Sequence, residues 1–90
     1  MAWCVYVLKS QTTNKHYIGQ TDNLQRRLKE HNSGKSRSSK PGIPWELIAT
    51  KICASRSEAV RLERRLKNLK SNGRLLDVIA GWSSGSSSGS

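Results

Sequence analysis

The chain predicts an α+β fold in which a small three-stranded antiparallel sheet is flanked by helices in the order ββαβαα. Three observations carry this expectation. Three segments rich in β-branched and aromatic residues have strand length. Two longer segments repeat their apolar residues with helical spacing, and polar stretches separate all five.

Ala2 to Leu8 is apolar on both faces and reads as a central strand. Gln11 to Lys15 (QTTNK) is a polar turn, and His16 to Thr21 (HYIGQT) completes a hairpin. Asp22 or Asn23 can cap a helix running to about Asn32. Ser33 to Gly42 (SGKSRSSKPG) is a basic Ser/Gly-rich loop, and Trp45 to Cys53 reads as the third strand. Ser55 and Glu58 fit a capping box, with Ser55 as N-cap, for a helix to about Lys70. Ser71-Asn72-Gly73 stops it, and a short last helix covers about Arg74 to Ala80. Residues 1–82 read as one domain, and the Gly/Ser-only segment Ser83 to Ser90 reads as a disordered tail.

Sixteen Lys and Arg against six acidic residues give a net charge of +10. So small and basic a body attracts polyanions over about a Debye length. Nucleic acid is the expected partner, with DNA favoured. A membrane is not, because no apolar run approaches the ~20 residues of a spanning helix. A core this small leaves no large enclosed pocket, so a shallow cleft for a polymer is expected. Cys4 and Cys53 sit in apolar runs without metal-ligand spacing and read as buried free thiols. The start lacks the basic n-region of a signal peptide, so the expected location is the cytoplasm, or the nucleus in a eukaryote.

The strongest signal lies on the helices. Leu24, Arg27, Leu28 and His31 form one inward stripe, and Ala59, Leu62, Glu63 and Leu66 form the other. Arg26, Lys29 and Glu30 fall on the outer face. Charges are rarely buried unless paired or bound to something, so an Arg, a His and a Glu directed at one face of the sheet need an explanation. One is structural, with Lys67 pairing Glu63 from one turn away. Tyr6 and Tyr17, on adjacent strands, are equally open to reading as a cross-strand core pair.

Taken together, these residues resemble the GIY-YIG nuclease superfamily. Cys4-Val5-Tyr6 resembles the first motif and Tyr17-Ile18-Gly19 matches the second, with ten residues, Val7 to His16, between them. The run from Tyr17 to Leu28 is similar to the next segment, Pro44 to Leu47 to the third strand, and Ser57 to Leu66 to the helix bearing the metal-holding glutamate. Cys4 replaces the first glycine, Gln20 stands where some members carry lysine, and Asn68 and Asn72 are out of place for the family's late asparagine. The pattern is similar to short stand-alone members and to the nuclease domain of structure-selective repair nucleases.

The resemblance implies a metal-dependent endonuclease that hydrolyses phosphodiester bonds, with the catalytic set Tyr6, Tyr17, Arg27, His31 and Glu63. Glu63 would hold one Mg²⁺ (or Mn²⁺), which keeps waters and takes phosphate oxygens. Arg27 would donate to the scissile phosphate. Tyr6 would act as general base, either as a phenolate or by passing its proton to His31, while Tyr17 would hydrogen-bond the water or phosphate. Arg26, Lys35, Arg37 and Lys40 would contact the nucleic-acid backbone. His16, expected to face solvent, receives no role. A protein partner supplying targeting is implied by relatives that rely on one. The alternative reading is a non-catalytic basic nucleic-acid-binding module.

Overall fold

A computed structural model describes residues 2–34 and 40–82. Lys35, Arg37 and the segment Ser83 to Ser90 lie outside the described residues. The elements are β1 (Trp3–Ser10), β2 (His16–Thr21), α1 (Leu24–Ser33), a 3-10 turn (Lys40–Gly42), β3 (Trp45–Cys53), α2 (Arg56–Ser71) and α3 (Leu75–Ile79). This is the predicted ββαβαα order, and the strands form one sheet in the order β2-β1-β3, antiparallel throughout. Among the described residues no helix is long and apolar enough to cross a membrane.

The hairpin turns on Ser10, whose buried hydroxyl oxygen accepts from the backbone N–H groups of Thr12 at 3.1 Å and Thr13 at 2.9 Å. Asn14 takes the left-handed conformation there, with φ 60°, which Asn tolerates better than most residues. Asn23 caps α1 by accepting from the Arg26 N–H at 3.1 Å, and Gly34 ends it at φ 82°. Ser55 caps α2 by accepting from the Glu58 N–H at 3.2 Å.

The alternation of β1 sets the layers. Val5 and Val7 point to one face, where Ile18, Ala49, Cys53, Ala59, Leu66, Leu75 and Ile79 close the main core under α2 and α3. Tyr6 and Leu8 point to the other face and pack with Trp45 against Leu24 and Leu28 of α1. The helices therefore cover opposite faces. This corrects the expectation that both polar stripes aim at one face: Arg27 and His31 lie over the tyrosine side, while Glu63 belongs to the helix across the sheet. Cys53 is buried and Cys4 half-buried, both free, and burial raises both thiol pKa values.

Candidate active site

Tyr6 is the centre of the polar cluster. Its cross-strand partner on β2 is Gly19, and the ring leans over the space that a side chain there would occupy. A Cβ on Gly19 would lie 2.5 Å from the Tyr6 hydroxyl oxygen and 2.7 Å from Cζ, closer than real Cβ contacts allow. Glycine thus lets the hydroxyl of the central strand extend over β2. The sequence reading placed Gly19 inside a motif but gave it no function.

The Tyr6 hydroxyl lies 3.2 Å from His31 Nε2, and both residues are buried. Burial lowers the His31 pKa from 6.5, and the nearby Arg27 charge adds to the effect while Glu30 partly offsets it. The imidazole is therefore predominantly neutral at about pH 7 and can accept a proton. In the Nδ1-protonated tautomer, Nε2 accepts from the tyrosine.

Desolvation raises the Tyr6 pKa above 10, outweighing the nearby Arg27 guanidinium, whose donors and charge favour the ionised form. The Glu63 carboxylate also opposes ionisation. Arg27 is itself positioned by Glu30, with Nη1 3.1 Å from Oε1 and both side chains 33% exposed. Glu30 was expected on the outer face among solvated charges; it is instead half-buried as the partner that holds Arg27. Arg26, one residue earlier, is exposed and lies 3.9 Å from Asp22.

Tyr17 borders the cluster. Its ring stacks 6.4 Å from that of Tyr6 and meets His31 edge-on at 4.5 Å and Trp45 at 6.0 Å. Glu63 is half-buried with its carboxylate 2.9 Å from Lys67 Nζ. The pair named as the structural explanation is thus present, but the charge of Glu63 also reaches Tyr6. The structure brings Tyr6, Tyr17 and His31 into contact, with Arg27 beside Tyr6 and the Glu63 charge reaching it from α2; Lys35 and Arg37 lie outside the described residues, and Lys40 begins the 3-10 turn.

His16 differs from expectation. It is half-buried, and its Nε2 is buried without a protein hydrogen-bond partner. Asn32 was also overlooked as a positioning residue: its side chain accepts from the Trp45 N–H at 2.5 Å and donates to the Trp45 carbonyl at 3.1 Å, tying the end of α1 to the start of β3. A strand-like bidentate clasp by one asparagine has no signature in helical periodicity.

Two tyrosines, a neutral imidazole and a tethered guanidinium over a small antiparallel sheet define a candidate centre for proton transfer beside an anion. Residues 2–75 match the family model of the GIY-YIG catalytic domain, and the chain belongs to that family. It is 38% identical over 73 residues to the structure-specific endonuclease subunit SLX1 of Podospora anserina, covering 73% of this chain and 21% of that protein. It is 35% identical over 68 residues to a UPF0213 protein of Photorhabdus laumondii, covering 74% of this chain and 64% of that one. The chain thus spans about a fifth of the first relative and just under two thirds of the second. The solution NMR structure of a UPF0213 protein from Bacillus halodurans aligns with a TM-score of 0.56 at 32% identity, over 90% of this chain and 88% of that one.

Proposed function

We propose that this protein is an endonuclease that hydrolyses nucleic-acid phosphodiester bonds, with DNA the favoured substrate and a divalent metal the cofactor. The observation that carries the reading is the buried Tyr6 hydroxyl, 3.2 Å from His31 Nε2, with the Arg27 guanidinium close enough to favour its ionised form. A hydroxyl that can pass its proton to an imidazole can take one from a water molecule. The raised Tyr6 pKa favours this relay over a standing phenolate. Water loses its proton to the Tyr6 oxygen as Tyr6 gives its own to His31 Nε2, the hydroxide attacks phosphorus, and the bond to the leaving ester oxygen breaks, that oxygen taking a proton from solvent. Arg27 then binds the non-bridging oxygens as their charge grows. Tyr17 orients the water or the phosphate from the edge of the cluster.

The donor set fits a metal held largely by non-protein ligands. Among the described residues no three His, Cys, Asp or Glu gather to form a cage. Glu63 offers one hard, half-buried oxygen donor whose charge is felt at Tyr6, which suits Mg²⁺ or Mn²⁺ with waters and phosphate oxygens completing the shell. When bound, the ion would neutralise charge on the leaving oxygen. Exposed Arg26, with Lys35, Arg37 and Lys40, would contact the flanking backbone.

The SLX1 relative is named a subunit of a structure-specific endonuclease, which supports a substrate chosen by its structure and a partner protein for this chain too. The test is incubation of the purified protein with duplex, nicked, flapped and branched DNA, and with RNA, in Mg²⁺ or in EDTA. Metal-dependent cuts internal to a strand are expected, and DNA bound but left intact under every condition would replace the enzyme with a binding module.

A further inference from the structure

A cleft of about 390 Å³ opens beside the catalytic cluster, between the start of β2 and the end of α2. His16, Tyr17, Ile18, Lys67, Lys70 and Ser71 line it. It shares Tyr17 with the tyrosine pair and Lys67 with the Glu63 ion pair, so it adjoins the site just described. No carboxylate lines it, and its polar side chains can all donate hydrogen bonds.

Lys70 is held in place. Its Nζ donates to the His16 carbonyl oxygen at 2.7 Å, which fixes the ammonium at the cleft wall and leaves two N–H donors. Lys67, one turn earlier on the same helix flank, already meets a carboxylate at 2.9 Å, so an anion beside Glu63 can share it. His16 lines the cleft, with its Nε2 buried and without a hydrogen-bond partner. Its pKa is lowered first by burial and then by the positive charges of Lys9 on β1 and Lys70 on α2. Positive charge is thus concentrated around a concavity whose own lining offers donors and no carboxylate, with Glu63 paired to Lys67 beside it.

We propose that this cleft is a phosphate subsite, in which Lys70, Lys67 and Ser71 bind a phosphate group of the substrate strand next to the one being cut. The inference rests on the nuclease reading and deepens it. A strand with its scissile phosphate at Arg27 and Tyr6 crosses the exposed side of Tyr17 and places a neighbouring phosphate against Lys70. The cleft then fixes the direction in which the strand crosses the site. The group is a diester within a continuous strand or a monoester at a strand end, and both present the same acceptor oxygens.

The experiment uses a single-stranded oligonucleotide in which one phosphate at a time is replaced by an uncharged methylphosphonate, at each position around the cut and its equivalents in a ladder. A second set carries or lacks a terminal phosphate. Binding is measured by fluorescence anisotropy in EDTA across a salt series, for the wild-type protein and for Lys70→Gln and Lys67→Gln. Gln retains a donor for the His16 carbonyl, and circular dichroism checks that both variants fold. One position should stand out, weakening wild-type binding about tenfold and reducing the salt slope by about 0.7. In Lys70→Gln the same replacement should be nearly silent. A terminal phosphate that alone shows this coupling identifies the monoester as the ligand; an internal position identifies the diester. Equal losses at every position, with Lys70→Gln weakening all oligonucleotides alike, would overturn the subsite and leave only a diffuse basic surface. Cleavage is scored separately in Mg²⁺. Cutting without coupling removes the subsite and keeps the nuclease; coupling without cutting does the reverse.

Discussion

The Tyr6 hydroxyl and His31 Nε2 stand 3.2 Å apart in the buried layer between β1 and α1, and burial pushes the two pKa values in opposite directions. The tyrosine holds its proton more tightly than a free phenol, whereas the imidazole is kept neutral. Tyr6 alone is a poor base for water near neutral pH, but with the neutral imidazole as final acceptor it can take a proton from water as it gives up its own.

Activity should therefore fall with falling pH as His31 protonates, along an acid limb centred below 6.5. Above that limb the rate should level off rather than climb toward pH 10, as a phenolate base would require. His31→Ala should move the profile to higher pH, because only the phenolate route remains. Tyr6→Phe should reduce cutting by about 10²–10⁴ and exceed the loss in Tyr17→Phe. Stability has the same sign. A histidine pKa lowered by folding means that the unfolded chain binds more protons, so stability is full above about 6.5 and declines as pH drops through the lowered value. Steady-state rates and melting curves across pH check both; a rate still rising tenfold per pH unit above pH 8 would contradict the relay.

Arg27→Ala and Arg26→Ala separate chemistry from binding. The two are sequence neighbours about 100° apart around the helix. Arg27 reaches Tyr6 and is held by Glu30, while Arg26 is exposed near Asp22. Removing Arg27 should cost about 10²–10³ in kcat, and removing Arg26 should raise KM with kcat nearly unchanged. Equal kcat losses would mean that the helix face has been misassigned. Glu30→Gln should fall between them, since it loosens Arg27 without removing it.

Gly19→Ala adds one methyl group where the Tyr6 hydroxyl now lies, 2.5 Å from the new Cβ. The ring must shift away from His31 or the strands must part, at a cost of about 1–3 kcal/mol. Denaturant melts should show that loss, together with cutting reduced toward the level of Tyr6→Phe. In a Tyr6→Phe background the added activity loss should vanish. Undiminished cutting by Gly19→Ala would show that the hydroxyl position is not critical.

Much of this arrangement was legible because local signals agreed with one another. Ser55 and the Asp22-Asn23 pair announce their helices by capping chemistry, the structure selecting Asn23 of the two, and the bounds of β2 and β3 follow from hydrophobic pattern and turn residues. Arg27, His31 and Glu63 were visible as polar breaks in apolar stripes. Periodicity gives a side chain's angle about its own helix but not which face of the sheet that helix covers, hence the error of one shared face. Glu30 and His16 were assigned outward for a related reason. Glu30 follows Arg27 by three residues and bends toward it, while His16 begins an edge strand whose outer side is closed by the distant end of α2. The Asn32 clasp on Trp45 joins residues 13 apart, beyond any local pattern.

Asn32→Ala should destabilise the fold without touching the chemistry directly. It removes two hydrogen bonds to the Trp45 backbone, at 2.5 and 3.1 Å, that couple α1 to β3. At about 0.5–1.5 kcal/mol each, the loss should be about 1–3 kcal/mol. Hydrogen exchange should show faster opening at the end of α1 and the start of β3. A variant as stable as the wild type would mean that packing of Trp45 against Tyr17 suffices to hold the two elements.

Glu63→Gln should abolish metal-dependent cutting while leaving DNA binding in EDTA unchanged or tighter. The substitution preserves shape and removes one negative charge from the margin of a basic site. Its structural cost should be small, because the lost ion pair is an i,i+4 contact whose lysine is 57% exposed, a class worth about 0.3–0.5 kcal/mol. A melting temperature within a few degrees of wild type is therefore expected. Two further effects favour binding: Lys67 is released for phosphate, and a charge that repels phosphate is gone. Metal affinity, followed by titration of Mn²⁺ into the protein–DNA complex, should drop, since Glu63 is the carboxylate proposed to hold the ion. The wild-type and variant proteins are compared for cleavage in Mg²⁺, DNA affinity in EDTA, and thermal unfolding. Retained cutting would place the metal elsewhere. Large destabilisation would return Glu63 to a structural role as the partner of Lys67, and loss of binding in EDTA would mean that its charge organises the lysines rather than a cation.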